Sequence, residues 1–134
     1  MATLEKLPNL KLLRLFGSFF QRKNMVCSER GFLVLQTLVI GLCDNLEQWR
    51  VEEGAMPSLC RLKIEYCREL KTIPDGLRFI TTLRELEIYN MPKSFKDRLV
   101  EGGQDFDKVK HVRSREFQFC DGEIIRYSNE FLHI

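Results

Sequence analysis

Five cysteines (Cys27, Cys43, Cys60, Cys67 and Cys120) and two histidines (His111 and His133) are the side chains of this 134-residue chain best suited to metal binding or nucleophilic chemistry. Metal sites are advertised by short ligand spacings such as CxxC, and none occurs here. Cys43 and Cys67 lie 24 residues apart, an interval that recurs throughout the chain and marks them as equivalent positions rather than as a ligand pair. A small thiol at such a position packs as a buried side chain and donates weakly to turn carbonyls. The chain has no GxSxG, HExxH or GxxxxGK[ST] motif, and its carboxylates are scattered. Neither an enzyme nor a cofactor or metal site is expected. The basic run Lys108-Val109-Lys110-His111-Val112-Arg113-Ser114-Arg115 has the chemistry for nucleic acid or a localisation signal. Glu101, Asp105 and Asp107 precede it, so a solvated surface strip is the expectation, and a net charge of +2 argues against nucleic acid or an anionic membrane.

What remains is recognition by side chains displayed on a surface, and the elements that display them follow from one stretch. MPSLCRLKIEYCRELKTIPDGL, from Met56 to Leu77, alternates only across Leu62-Lys63-Ile64, the signature of a very short strand. Such a strand cannot bury its apolar face alone and needs neighbours of the same shape. Its central leucine recurs at Leu13, Leu38, Leu62 and Leu86, in steps of 25, 24 and 24 residues. Each copy also carries its flanking aliphatics: Leu10 and Leu15, Leu35 and Ile40, Leu59 and Ile64, Leu83 and Ile88. These steps fall in the range of about 20–29 residues that leucine-rich repeats span. The fold class expected is an α/β solenoid with short parallel strands on its concave face and an irregular or short-helical convex side.

Strand side chains alternate, so the residues between the core positions line the concave face in three columns. The first column is Leu12, Thr37, Arg61 and Glu85; the second Arg14, Val39, Lys63 and Glu87; the third Phe16, Gly41, Glu65 and Tyr89. Stacking places Arg61 beside Glu85 and Lys63 beside Glu87. One reading is a cross-strand salt ladder that keeps the face soluble. The other is a protein-binding surface of Leu12, Arg14, Phe16, Val39, Arg61, Lys63, Glu65, Glu85, Glu87 and Tyr89, with an apolar end at Leu12, Phe16 and Val39 and a charged, Tyr-bearing end at Glu65, Glu87 and Tyr89. The two are compatible.

Along the chain, Pro8 favours an extended approach through Leu4, Leu7 and Leu10 to the first strand. Phe19 and Phe20 are expected in the core and residues 21–24 in a solvated bend. Trp49 holds the place of Ile73 and should be convex-side core with its indole N–H near the surface. Ile73-Pro74-Asp75-Gly76-Leu77 marks a return, with a helical or 3-10 turn over Leu77 to Thr81. After Met91-Pro92 the period is lost. A short helix over Phe95 to Val100 is ended by Gly102-Gly103, and Glu116-Phe117-Gln118-Phe119 should close the sheet edge as a cap. Residues 1–121 form the repeat domain, and 122–134 a tail with Ile124, Ile125, Phe131 and Leu132 but no repeat.

LPNLKLLRL from Leu7, VEEGAMPSL from Val51, Cys67-x-x-Leu70-x-x-Ile73-Pro74-Asp75-Gly76-Leu77 and FQFCD from Phe117 together resemble the C-terminal leucine-rich-repeat end of plant nucleotide-binding leucine-rich-repeat disease-resistance proteins of the coiled-coil class. The resemblance covers about Leu4 to Asp121. It implies an intracellular immune receptor whose repeats recognise a pathogen effector or guarded host protein and hold the nucleotide-binding domain of the same receptor inactive. Without a phosphate loop or coiled-coil heptads, the expectation is the sensor end of such a receptor, as a fragment or a truncated paralogue.

A leucine-rich-repeat substrate adaptor of a ubiquitin ligase is the alternative, needing an F-box-like helical segment before Leu4. A truncated, non-signalling receptor fragment is a third reading, since four repeats are near the minimum for a stable array. No stretch approaches the roughly 18 apolar residues of a membrane span, and Met1-Ala2-Thr3 leads straight into the repeats without a signal-peptide core. A cytoplasmic or nuclear location is expected.

Overall fold

The recurring leucine pattern builds a parallel sheet in the computed structural model, which describes residues 2–17, 20–119 and 122–129. Strands β1 (Leu12–Phe16), β3 (Thr37–Gly41), β5 (Arg61–Glu65), β6 (Glu85–Tyr89) and β7 (Ser114–Gln118) lie in that order, all parallel, and β8 (Ile124–Ser128) pairs antiparallel with β7 at the far edge. The register is that of the repeat: Leu13, Leu38, Leu62 and Leu86 form one row, and Leu15, Ile40, Ile64, Ile88 and Phe117 the next. Leu38, Leu62 and Leu86 are no more than 1% exposed. Leu13, with a strand on one flank only, is half-buried.

Backbone groups between strands continue the ladder. The Lys11, Gln36 and Cys60 carbonyls each accept two N–H groups from the next repeat, at 2.8–3.1 Å. Chain reversal after β3, β5 and β6 uses a left-handed residue at one place in the repeat, Leu42, Tyr66 and Asn90, with φ of 54°, 52° and 55°. The following Cys43 and Cys67 are fully buried. Their thiols donate to the Gly41 and Glu65 carbonyls at 3.3 Å, as the sequence implies for Cys43 and Cys67. This arrangement is a leucine-rich-repeat solenoid.

Several expectations are corrected. The convex side is not wholly irregular: β2 (Asn24–Cys27) and β4 (Gln48–Val51) form a second, two-stranded parallel sheet. It stops at the third repeat, where Pro74 has no N–H to donate and a 3-10 turn (Asp75–Phe79) begins. Trp49 is buried within that sheet, and its indole N–H meets the Cys27 sulfur at 3.5 Å rather than the surface. Before β1 the chain makes a single helical turn, α1 (Ala2–Glu5), which ends ahead of Pro8. Glu5 Oε1 then accepts the Ser28 N–H at 2.8 Å. Phe20 is in the core as expected, whereas Phe19 lies outside the described residues, as do Cys120, Phe131, Leu132 and His133.

Past Met91 the helix α2 (Lys93–Asp97) ends earlier than the glycines suggest, and Gly103 packs against the Asp97 and Arg98 carbonyls, where an added Cβ would meet them at 2.4 and 2.5 Å. A second helical turn, α3 (Phe106–Val109), follows. The expected cap strand is a fifth parallel repeat strand, β7, and β8 covers its outer edge. Arg115 occupies the leucine position of β7, 7% exposed, with Nη1 donating to the Val112 carbonyl at 2.6 Å and the guanidinium over the Phe106 ring at 5.7 Å.

Candidate protein-interaction surface

Five parallel strands and one antiparallel strand present the non-core residues on a single concave face. The three columns occur in the register read from the repeat: Leu12–Thr37–Arg61–Glu85, Arg14–Val39–Lys63–Glu87 and Phe16–Gly41–Glu65–Tyr89. They continue onto Ser114, Glu116 and Gln118 of β7, then Ser128, Arg126 and Ile124 of β8. A concavity of about 300 Å³ opens at the β1 end, lined by Leu12, Arg14, Phe16, Thr37, Val39, Arg61, Lys63, Glu65 and Glu87. Glu85 and Tyr89 do not line it.

The apolar end is shaped by one missing side chain. The Phe16 ring lies across β3 at Gly41, where an added Cβ would come within 2.7 Å of the ring and 3.2 Å of Glu65 Cγ. Gly41 therefore seats Phe16 against the sheet. Leu12 is 47% exposed beside it.

The charged end is wired differently from a simple rung-by-rung ladder. Arg61 meets Glu85 at 3.2 Å and also reaches diagonally to Glu87, with Nη2 at 2.6 Å and Nε at 2.9 Å from Oε1. Lys63 does not take Glu87. Its ammonium pairs with Glu65 at 3.7 Å and lies over the Tyr89 ring, 4.5 Å from the centroid. The planar fork of arginine can hold two acceptors, whereas the point charge of lysine turns to the nearest carboxylate and a π face. Hydrogen bonding to Glu87 holds the Arg61 guanidinium above its ordinary pKa. Burial, with Glu87 and Glu116 nearby, pushes the Tyr89 phenol up to about 12, so it stays a neutral donor to Glu116 Oε2 at 3.2 Å. Arg126 closes the chain of contacts on Glu116 at 3.2 Å.

Glu116 and Arg126 are site residues that sequence reasoning missed. A signal existed: Ile88 and Phe117, like Glu87 and Glu116, are 29 residues apart, the upper end of the repeat range. The exposed Arg61–Glu85 pair contributes about 0–1 kcal/mol at most. The network's effect is mainly to fix side-chain positions on the face.

The basic run is a solvated strip only over its middle, its two ends being held by the fold. Lys108 Nζ is held by Asp105 at 2.9 Å, Asp75 at 3.0 Å and the Ile73 carbonyl at 2.8 Å, and Arg115 is buried. Its middle members Lys110, His111, Arg113 and Ser114 face solvent. Among the described residues no group of three or more His, Cys, Asp and Glu side chains is placed to hold a metal. Among the described residues no helix is long and apolar enough to cross a membrane. Other cavities are larger than the concave one, among them those of about 650 Å³ beside Leu7, Pro8, Leu33 and Val34, and about 500 Å³ over β4 and Pro74. Neither gathers residues of the three columns.

Curated relatives are plant proteins. The chain is 46% identical over 121 residues to disease resistance protein RPP8 of Arabidopsis thaliana, a match covering 90% of this chain and 13% of that protein. It is similarly related to disease resistance protein RPH8A, at 46% over 121 residues, and to disease resistance RPP8-like protein 3, at 44% over 123 residues, both from Arabidopsis thaliana. These matches cover 90% and 92% of this chain, and 13% of each relative. The chain thus spans about an eighth of the length of these relatives. No protein-family model matches it, and neither does any solved structure.

Proposed function

We propose, on the premise that this chain is a relative of a short segment of plant disease-resistance proteins, that it is the protein-recognition module of an intracellular defence receptor. Its concave face binds another protein: a pathogen effector, a guarded host protein or the nucleotide-binding domain of the receptor itself. The observation that carries this reading is the concave face, where an apolar end at Leu12, Phe16 and Val39 adjoins a pre-arranged charge network at Arg61, Lys63, Glu65, Glu87 and Tyr89. A network that only kept the face soluble would not need an exposed apolar neighbour. Apolar anchors rimmed by fixed charges are what protein interfaces use for affinity and selectivity respectively. The role is binding rather than catalysis.

The test is site-specific photo-crosslinking in leaf tissue, with a photoreactive residue at Val39 on the concave face or at Arg50 on the convex one. Protein adducts are expected from position 39 and not from position 50. Arg61→Glu combined with Lys63→Glu should remove those adducts while the chain still melts cooperatively. Adducts that persist unchanged in the double variant, or that form equally from both faces, would overturn the reading.

A further inference from the structure

Among the described residues, every cation of the concave columns but one has an ion-pair partner. From β5 onward Arg61 is matched by Glu85 and Glu87, Lys63 by Glu65, and Arg126 by Glu116. Arg14, the central residue of β1, is exposed and has no hydrogen-bond or ion-pair partner among the described residues. It is framed by apolar side chains, with Leu12 and Phe16 on its own strand and Val39 opposite in register. All four line the 300 Å³ concavity.

A guanidinium is weakly hydrated and presents a planar fork that matches a carboxylate with two parallel hydrogen bonds. An apolar collar that sheds water on contact strengthens that pairing, since charges attract more strongly where the local dielectric falls. The same arrangement repels a cationic segment and leaves the guanidinium unpaired against a neutral one. One free cation also matches a single carboxylate better than a phosphate ester, whose charge is about −1.5 to −2 near neutral pH, because Arg61 and Lys63 are already neutralised.

We infer that the β1 end of the concave face docks an acidic, apolar-flanked segment of the partner protein. One Asp or Glu of that segment pairs with Arg14, and its neighbouring apolar side chains cover Leu12, Phe16 and Val39. The inference rests on the proposed function and specifies the partner's chemistry at this one subsite.

The probe is a fluorescein-labelled peptide alternating aspartate with leucine, titrated with the full 134-residue chain and followed by anisotropy. Peptides with lysine or serine in place of aspartate serve as controls. Selective binding of the acidic peptide is expected, weakened by salt and reduced by about tenfold or more in Arg14→Ala, the scale set by a lost charged hydrogen bond. Arg14→Lys should recover part of the loss. Arg14→Glu should abolish binding without altering the melting temperature, and Arg50→Ala on the convex face should change nothing. Equal binding of the three peptides, or acidic-peptide binding indifferent to Arg14→Glu, would overturn the inference. So would concentration-dependent self-association of the chain that Arg14→Glu removes, which would assign the patch to a second copy. If the acidic peptide fails while Arg61→Glu with Lys63→Glu still erases crosslinks in leaf tissue, only the Arg14 pairing falls; loss of both results removes the proposed function as well.

Discussion

Replacing Leu62 and Leu13 by alanine, one at a time, measures whether the repeats shield one another as the sheet requires. The two leucines hold the same place in the repeat and share one row with Leu38 and Leu86. Leu62 is 0% exposed and flanked on both sides, so the space left by Leu62→Ala is walled by rigid strands and collapses little. Core leucine truncations cost about 2–5 kcal/mol, more where the site cannot relax, which sets Leu62→Ala at about 3–4 kcal/mol. For a domain of this size each kcal/mol lowers the melting temperature by about 3–5 °C, giving a fall of about 10–15 °C. Leu13 is half-buried and has only β3 beside it, so Leu13→Ala should cost about half as much, with a fall of about 5–8 °C. Leu62→Asp adds an unpaired carboxylate to the core and should remove cooperative melting, since the whole fold is held by about 5–15 kcal/mol. Differential scanning calorimetry of the variants reads all of these. Equal shifts for Leu13→Ala and Leu62→Ala would mean that β1 is not an open edge, and a Leu62→Asp chain melting like the parent would refute the burial of the leucine row.

Asp105 offers a pH-dependent test, its side chain 4% exposed and bound to Arg98 at 2.8 Å and Lys108 at 2.9 Å. Burial raises its pKa, but the hydrogen bonds from Arg98 and Lys108 outweigh that and leave it below the ordinary value. Its contribution is therefore complete above the unfolded pKa of about 3.9 and is lost as pH falls through the lower folded value. Urea titrations should show Asp105→Asn destabilised at neutral pH by about 3 kcal/mol and less sensitive to acid than the parent; identical acid slopes would count against the buried clamp. Iodoacetamide labelling read by peptide mass spectrometry should modify the half-buried Cys60 well before Cys27, Cys43 or Cys67. Cys27 is the clearest case, because burial, opposed in part by the Trp49 N–H and assisted by Glu5, pushes its thiol up to about 11 and keeps it protonated at neutral pH. Native-state labelling of Cys27 as fast as that of Cys60 would contradict this.

Leu13, Leu38, Leu62 and Leu86, with their flanking aliphatics, by themselves determined strands β1, β3, β5 and β6, their parallel register and the three concave columns. Spacing sufficed because each strand side chain's row and face follow from its place in the repeat, and burying one apolar row requires the next. Cys43 and Cys67 were legible for the same reason. The second sheet was not, because Met25-x-Cys27 and Trp49-x-Val51 offer only two copies before Pro74 breaks the series. The fifth strand was hidden by a charged residue at the leucine position: Arg115 is admitted there only because the Val112 carbonyl, Asn129 and the Phe106 ring satisfy it. Tertiary structure alone also decided that Glu87 goes to Arg61, that Lys63 turns to Glu65 and Tyr89, and that Arg14 is left unmatched among the described residues. Long ionic side chains choose among several partners within reach, so their pairing is settled by competition in space rather than by separation along the chain.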